Sequence, residues 1–123
     1  MGRFYVSGEV SVVRKGAKAL QVPKLLVDSG SEFTWIPEAV LKAAGISLAK
    51  KDQVFEMANG AAITRSTGYA IVRAAGFETV DEVVFGQPGD LTLLGARTLE
   101  GFGAYVDARK KRLVASGKHV AAP

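Results

Sequence analysis

Short apolar runs separated by turn residues follow one another along the whole chain. From residue 4 to residue 27 the apolar side chains recur with a period near two, broken at Gly8 and at the turn Lys15-Gly16-Ala17-Lys18. This period is typical of a half-buried β-strand, whereas a helix repeats its apolar face every three to four residues. The N-terminal segment therefore predicts two or three antiparallel strands.

Strand and turn signals continue through the rest of the chain. Asn59-Gly60 between two apolar runs favours a hairpin, because both residues tolerate the positive φ of a type I′ turn. Short helices are predicted at 38–44, which follows Pro37, and at 97–100, which ends at Gly101. The remaining strands are predicted at 54–57, 61–64, 69–72, 80–85 before the turn 86–89, a buried run at 91–94, and a last hairpin of 104–106 with 113–114.

About seven short strands and two short helices, without alternating βαβ units, predict an all-β fold, either a closed β-barrel or a folded-over sheet. A chain of 123 residues fits one domain with one core. We place this domain at residues 1–115, followed by a short polar C-terminal tail at 116–123.

The composition excludes several kinds of chemistry. The chain has no cysteine, which removes disulfides, thiol nucleophiles and cysteine-bound zinc, and which fits a reducing compartment. Its single histidine, His119, lies in the predicted tail. A Ser-His triad would lack a positioned imidazole, and a histidine-rich metal site would lack its ligands. No phosphate-binding motif G-x-x-x-x-G-K-S/T occurs. We therefore expect no metal and no cofactor, and carboxylate chemistry remains.

The charge and hydropathy patterns bear on partners and location. No apolar run approaches the ~20 residues that span a bilayer, and the N-terminus lacks the apolar segment of a signal peptide, so we expect a cytoplasmic protein without a membrane partner. The net charge is +4, and its one dense cluster, 109–112, lies at the tip of the last hairpin. Without interleaved aromatic residues this cluster indicates a solvated turn, and we expect no nucleic-acid partner.

One carboxylate stands in an unusual position. Leu25-Leu26-Val27 is apolar on both faces, as in a buried strand, and leads directly into Asp28-Ser29-Gly30-Ser31. A carboxylate at the end of a buried strand is partly desolvated, glycine lets backbone N–H groups approach it, and neighbouring hydroxyls can hydrogen-bond it. Asp28 is therefore the candidate catalytic group.

The segment 25–37 resembles the active-site segment of retropepsin-like aspartic peptidases, in which an apolar strand, Asp-Thr/Ser-Gly-Ala/Ser and a second strand ending near Ile-Pro precede a short helix. Ala58-Asn59-Gly60 is similar to the flap hairpin of that family, and 93–100 to its hydrophobic-hydrophobic-Gly segment and following helix. The hairpin at 104–114 resembles the closing hairpin of small prokaryotic single-domain members.

The resemblance implies an aspartic endopeptidase that works as a two-fold symmetric homodimer and hydrolyses peptide bonds of a peptide or protein substrate. Asp28 and Asp28 of a second copy would activate a water, and none of the other four aspartates is followed by Ser/Thr-Gly. Ser29 would lock the two active-site loops together, Gly30 would lie against the substrate backbone, and Ser31 would hydrogen-bond the carboxylate.

The resemblance also implies a set of substrate-binding residues, with the hairpin tip closing over the peptide. These residues are Ser31, Glu32, Phe33, Trp35, Met57, Ala58, Asn59, Gly60 and Ala61. For Phe33 and Trp35 plain core packing is an equal alternative. Leu93-Leu94-Gly95 is predicted to be structural, a strand beneath the active-site loop with Gly95 allowing close approach.

Two other functions are compatible with the sequence. The first is a non-catalytic dimeric module of the same fold that only binds a peptide or a protein, because a fold does not determine a function. The second is a nucleic-acid-associated β-domain that uses the basic hairpin and binds in a steeply salt-dependent way. Either the N-terminal strand or the 113–114 strand could build the dimer sheet.

Overall fold

A computed structural model describes residues 3–117 as nine β-strands and two short α-helices. The predicted location of His119, and most of the predicted tail 116–123, lie outside the described residues. In chain order the elements are β1 Tyr5–Ser11, β2 Leu20–Val27, β3 Thr34–Pro37, α1 Glu38–Ala43, β4 Lys50–Glu56, β5 Ala62–Ala74, β6 Phe77–Gly86, β7 Leu93–Leu94, α2 Ala96–Phe102, β8 Ala104–Asp107 and β9 Arg112–Ala115. The fold is all-β, as predicted.

Seven of the strands form one sheet in the order β1-β2-β7-β3-β6-β5-β4. Because β1 also pairs with β5, six of them close into a ring, and β4 extends outward from β5. The pairs β2–β7 and β3–β6 are parallel, and the other pairs are antiparallel. Strands β8 and β9 form a separate two-stranded sheet, which confirms the last hairpin with its basic tip.

Apolar side chains on the two faces of the ring form two clusters. Leu25 of β2 and Phe85 of β6 belong to the main core, whereas the adjacent Leu26 and Val84 face the other way. Successive side chains of a strand point to opposite faces, so a strand that is buried on both faces must be apolar throughout. The second cluster, which also contains Trp35, forms the floor of the site described below.

Strand β5 is longer than the sequence pattern predicted. The two short strands predicted at 61–64 and 69–72 are one continuous strand of 13 residues, which turns into β6 through Ala75-Gly76 with positive φ at both residues. The polar stretch between them remains in the strand because its side chains are paired: Thr67 donates to Glu82, and Arg65 binds Asp90. Pairing across the sheet thus overrides the loss of the apolar pattern.

Three local predictions are corrected. In the β4–β5 hairpin only Gly60 has positive φ, 84°, and Asn59 instead accepts a hydrogen bond from the Ala61 N–H, so the turn is not type I′. Helix α2 runs past Gly101 and ends at Phe102, with Gly103 (φ 68°) as its C-cap, because a helical Gly101 lets the helix pack directly on Thr79. The 91–94 run is buried only at Leu93 and Leu94, since the Leu91 side chain is 59% exposed.

Within residues 3–117, neither helix has the length and hydropathy that a membrane span requires.

Candidate active site

The loop that follows β2 holds the Asp28 side chain in a defined position. The Asp28 N–H donates to the Leu94 carbonyl (3.0 Å), which extends the parallel β2–β7 pairing by one residue. The Asp28 carbonyl accepts from the Ser31 N–H (3.1 Å), and its Oδ1 accepts from the Gly30 N–H (3.0 Å). Among the described residues, nothing hydrogen-bonds Oδ2. One carboxylate oxygen is therefore oriented by the loop, and the other is available to a further group.

Helix α2 supports this loop from below. The Ala96 N–H donates to the Ser31 carbonyl (2.7 Å), and the Arg97 N–H donates to the Glu32 carbonyl (3.0 Å). A Cβ at Gly95 would overlap the Phe33 carbonyl, so only glycine allows the helix to begin this close to the loop. The structural role predicted for the 93–95 segment is confirmed.

A chain of buried hydroxyl groups connects the loop to β6. The Gly95 N–H donates to Thr34 Oγ1 (2.9 Å), the Thr34 and Thr98 hydroxyls are 2.5 Å apart, and Thr98 donates to Asp81 Oδ2 (2.7 Å). Because the Thr98 proton is directed to Asp81, Thr34 is the donor in the threonine pair. Both threonine residues are fully buried. This series of hydrogen bonds fixes α2 and β3 relative to each other.

Asp28 lines a cleft of about 980 Å³ between its own loop, the β4–β5 hairpin and the 87–91 segment. Its apolar wall is aromatic: the Phe33 and Trp35 rings each meet the Phe55 ring edge-on, with centroids 5.3 Å apart. Edge-to-face packing of this kind orders the three rings. About half of the lining residues are apolar and the rest are charged or polar, and a cleft of this size can hold a small ligand or a peptide segment.

Two carboxylates of the cleft are already paired with cations. Burial acts to raise the pKa of Glu82, but hydrogen bonds from Thr67 (2.7 Å) and Lys50 (3.2 Å) outweigh it, and the pKa is lowered overall. The Arg65 guanidinium lowers the pKa of Asp90 through two hydrogen bonds of 2.7 and 2.8 Å. Both groups are therefore held in their charged form.

The structure gathers most of the predicted site residues around this cleft. Asp28, Gly30, Ser31, Glu32, Phe33, Trp35, Met57 and Ala58 line it. Ser29 lies in the same loop with its side chain exposed, and Asn59, Gly60 and Ala61 form the exposed tip of the hairpin, outside the cleft lining. Phe33 and Trp35 serve both alternatives, because they line the cleft and pack in the second apolar cluster.

One predicted contact is wrong. The Ser31 hydroxyl donates to the Phe33 carbonyl (3.0 Å) and not to the Asp28 carboxylate. The acceptor is a backbone carbonyl two residues ahead, which is a short-range bond typical of serine.

Sequence reasoning missed the residues that reach the cleft from distant elements. These are Lys50, Gln53, Val54, Phe55, Glu56, Glu82, Asp90, Leu91, Leu93 and Arg97. For Phe55 the alternating pattern of β4 could have indicated the buried face, but nothing local marks Glu82 or Arg97. No cluster of three or more metal-ligating side chains occurs among residues 3–117.

A protein-family model described as "Aspartyl protease" matches residues 10–98, which include the Asp28 loop, the hairpin and the start of α2. No curated protein matches the chain significantly.

Proposed function

This chain belongs to the aspartyl protease family, and we propose that it is an endopeptidase that uses two Asp28 carboxyl groups, one from each of two paired copies. The observation that carries the proposal is the Asp28 side chain itself: it lies in a peptide-sized cleft, with Oδ1 held by the Gly30 N–H and with Oδ2 unbound among the described residues. That arrangement leaves one oxygen for a water or a substrate.

The other carboxylates of the cleft are poor partners for Asp28. The reaction requires one carboxyl group that is charged and one that carries a proton. Glu82 and Asp90 bind cations and have lowered pKa values, so they resist protonation. Glu32 and Glu56 are exposed on the cleft rim. A second Asp28, brought by a two-fold axis, supplies an identical group in an identical environment.

In the proposed mechanism a water lies between the two Asp28 side chains. The charged carboxylate removes a proton from this water while the protonated carboxyl group donates to the carbonyl oxygen of the scissile peptide bond. Like charges ~3 Å apart cannot both remain ionised, so the pair shares one proton and titrates as a unit. The Gly30 position leaves the loop without a side chain where the peptide backbone would pass.

The surface of the loop is suited to such a pairing. The Ser29 side chain is exposed, and among residues 3–117 it makes no hydrogen bond, so its hydroxyl is available to the same loop of a second copy. Strands β8 and β9 pair only with each other in the described part of the chain, which leaves their outer edges open to a dimer sheet.

The tip of the β4–β5 hairpin, residues 58–61, is proposed to close over bound peptide. All four residues are exposed and Gly60 has open space around it, so the tip has little packing to hold it in one position.

The absence of cysteine supports a cytoplasmic location, which is also part of the proposal.

Asp28→Asn tests the proposal. We expect the wild-type chain to cleave an unfolded protein in part of the range from about pH 3 to about pH 8, and the variant to lose at least about a thousandfold in rate while remaining a dimer. Asn keeps the size of the side chain and still accepts the Gly30 N–H, so the loop is preserved. The measurements are product formation, resolved by mass spectrometry, and molecular mass by sedimentation.

The outcomes separate the proposal from its main alternative. Loss of cleavage by a folded, dimeric variant supports the shared Asp28 pair. A folded wild-type dimer that binds peptides and cleaves none would contradict it and favour the non-catalytic peptide-binding module. An active monomer would contradict the requirement for two copies.

A further inference from the structure

Arg97 lies on the wall of the cleft in an ordered position. Its guanidinium carbon is 4.6 Å from the centroid of the Phe33 ring, and its backbone N–H donates to the Glu32 carbonyl. Arg97 also follows, by three residues, the Leu94 whose carbonyl binds the Asp28 N–H. Arg97 therefore contacts the loop that carries Asp28 twice, through its side chain at Phe33 and through its backbone at Glu32.

No carboxylate in the described part of the chain neutralises this arginine. None of the ion pairs within 4.0 Å involves Arg97, whereas the other cation of the cleft lining, Lys50, is paired with Glu82. Glu82 is close enough for the Arg97 charge to contribute to its lowered pKa, but its oxygens are bound by Thr67 and Lys50. The planar donor group of Arg97 is thus open to a ligand.

The surroundings make this charge effective once a peptide is bound. An exposed ion pair in water contributes little, because water screens it and the side chains must be ordered. Stacking on Phe33 already orders the Arg97 guanidinium, and a peptide side chain lying against the aromatic wall would displace water from both. A carboxylate that meets the planar guanidinium there can accept two parallel hydrogen bonds.

We propose that Arg97 and Phe33 form a subsite that selects an acidic side chain, aspartate or glutamate, of the peptide substrate. The inference rests on the proposed function only for the presence of a peptide in the cleft. Glu32 and Glu56 also line the cleft and are exposed, as Arg97 is, but neither is stacked on a ring. Of these three charged side chains, Arg97 is therefore the one that an aromatic contact holds in place.

The test uses acetylated, C-terminally amidated peptides in which one residue is varied among Glu, Gln and Lys and moved through the sequence position by position. Binding is measured by fluorescence anisotropy with the full chain carrying Asp28→Asn, and cleavage is measured as kcat/KM with the wild type. At one position of the peptide we expect the Glu peptide to bind about tenfold more tightly than the Gln peptide, and the Lys peptide to bind more weakly than both.

Three variants and a control identify the residue responsible. Arg97→Gln, which keeps most of the stem, should make Glu and Gln equivalent at that position, and Arg97→Glu should reverse the preference to Lys. Arg97→Lys should retain a smaller preference, because a lysine presents a point charge without the planar fork. The control Arg14→Ala, in the turn between β1 and β2, should leave the preference unchanged.

The results also separate this inference from the proposed function. Equal binding of Glu and Gln peptides at every position, a Glu preference that survives Arg97→Gln, or no peptide binding at all would overturn the subsite. A Glu preference that depends on Arg97, in a chain that cleaves nothing, would support the subsite and remove the endopeptidase. Cleavage without any Glu preference would support the endopeptidase and overturn the subsite.

Discussion

At the scale of single residues, the most constrained group beneath the cleft is the pair Thr34 and Thr98. Each hydroxyl can donate one hydrogen bond. Thr34 accepts from the Gly95 N–H and donates to Thr98, and Thr98 donates to Asp81, so both hydroxyl protons are used. The pair connects the start of α2, whose backbone N–H groups bind the Asp28 loop, to Asp81 of β6. A partner lost here cannot be replaced by water, because both side chains are fully buried.

Thr98→Val should therefore destabilise the protein by about 1–3 kcal/mol, although the side chain keeps its shape. The change leaves the Thr34 proton without an acceptor and removes a donor from Asp81. The measurement is urea unfolding followed by circular dichroism. The exposed Thr64→Val on β5 is the control and should change the free energy of unfolding by less than about 0.5 kcal/mol.

The double variant Thr34→Val with Thr98→Val sharpens this test. If the two hydroxyls act as one unit, the double variant should cost less than the sum of the single variants, by about 1 kcal/mol. Additive losses would show that the 2.5 Å contact between the two hydroxyls contributes nothing of its own.

At the scale of elements, an ion pair between Arg65 and Asp90 joins the β4–β5 hairpin to the 87–91 segment. Arg65 lies on β5 below the hairpin tip, and Asp90 lies in the 87–91 segment that lines the cleft. Asp90 Oδ2 also accepts the Gln87 N–H (2.7 Å), so the carboxylate orders its own segment as well. This contact sets the position of the hairpin base, whereas the tip at 58–61 is exposed.

The contribution of this ion pair should depend on pH in a defined direction. The pKa of Asp90 is lowered in the folded chain, chiefly by the Arg65 hydrogen bonds, from an ordinary value of 3.8. A lowered folded-state pKa means that the stabilisation is fully present above the ordinary value and is lost as the pH falls through the folded-state value. Asp90→Asn should therefore cost about 2 kcal/mol near neutral pH.

The same substitution should cost progressively less as the pH falls below 3.8, because the wild-type Asp90 becomes protonated as well. Urea unfolding of wild type and variant at several pH values measures the difference. Asp52→Asn, at an exposed position without an ion pair among residues 3–117, should cost less than about 0.5 kcal/mol near neutral pH. A cost of Asp90→Asn that does not change with pH would contradict the ion-pair explanation.

At the scale of the whole molecule, the proposed function makes the ring of six strands one half of a symmetric site. The Asp28 loop reaches the surface with Ser29 and Gly30 exposed, and the same loop lines the cleft. A two-fold axis at this loop would bring two loops, two clefts and two hairpin tips together around one peptide. The catalytic unit would then have twice the 13.0 kDa mass of one chain.

Ser29→Ala should weaken this dimer without unfolding the chain. Two symmetry-related hydrogen bonds of about 1 kcal/mol each would be lost, which raises the dissociation constant about ten- to thirtyfold. Sedimentation equilibrium measures the constant directly. Ser29→Thr keeps the hydroxyl and should retain the dimer, and Ser47→Ala, a remote exposed serine, should have no effect. If Ser29→Ala dimerises as tightly as the wild type, the loop is not part of the interface.

The local patterns of the sequence predicted much of the fold. The strand periods, the Asn59-Gly60 hairpin, the helix after Pro37 and the buried strand leading into Asp28 are all signals between residues close in the chain, and the structure contains each of them. The predictions that were wrong concern the extent of β5 and α2, the type of the Asn59-Gly60 turn and the partner of the Ser31 hydroxyl. The extents of β5 and α2 depend on contacts with distant residues, whereas the turn and the Ser31 hydroxyl form short-range hydrogen bonds other than those predicted.

The all-β class, the Asp28 loop and the likeness to an aspartyl protease could be predicted from the sequence alone, because turn chemistry, alternation and a short motif depend on neighbouring residues. Which distant side chains reach the cleft depends on the tertiary structure. Arg97, Glu82 and Asp90 come to the cleft from α2, β6 and the segment after it, and each has a different pairing there. The physical reason is that burial and charge pairing depend on distances in space, which the closing of the ring creates.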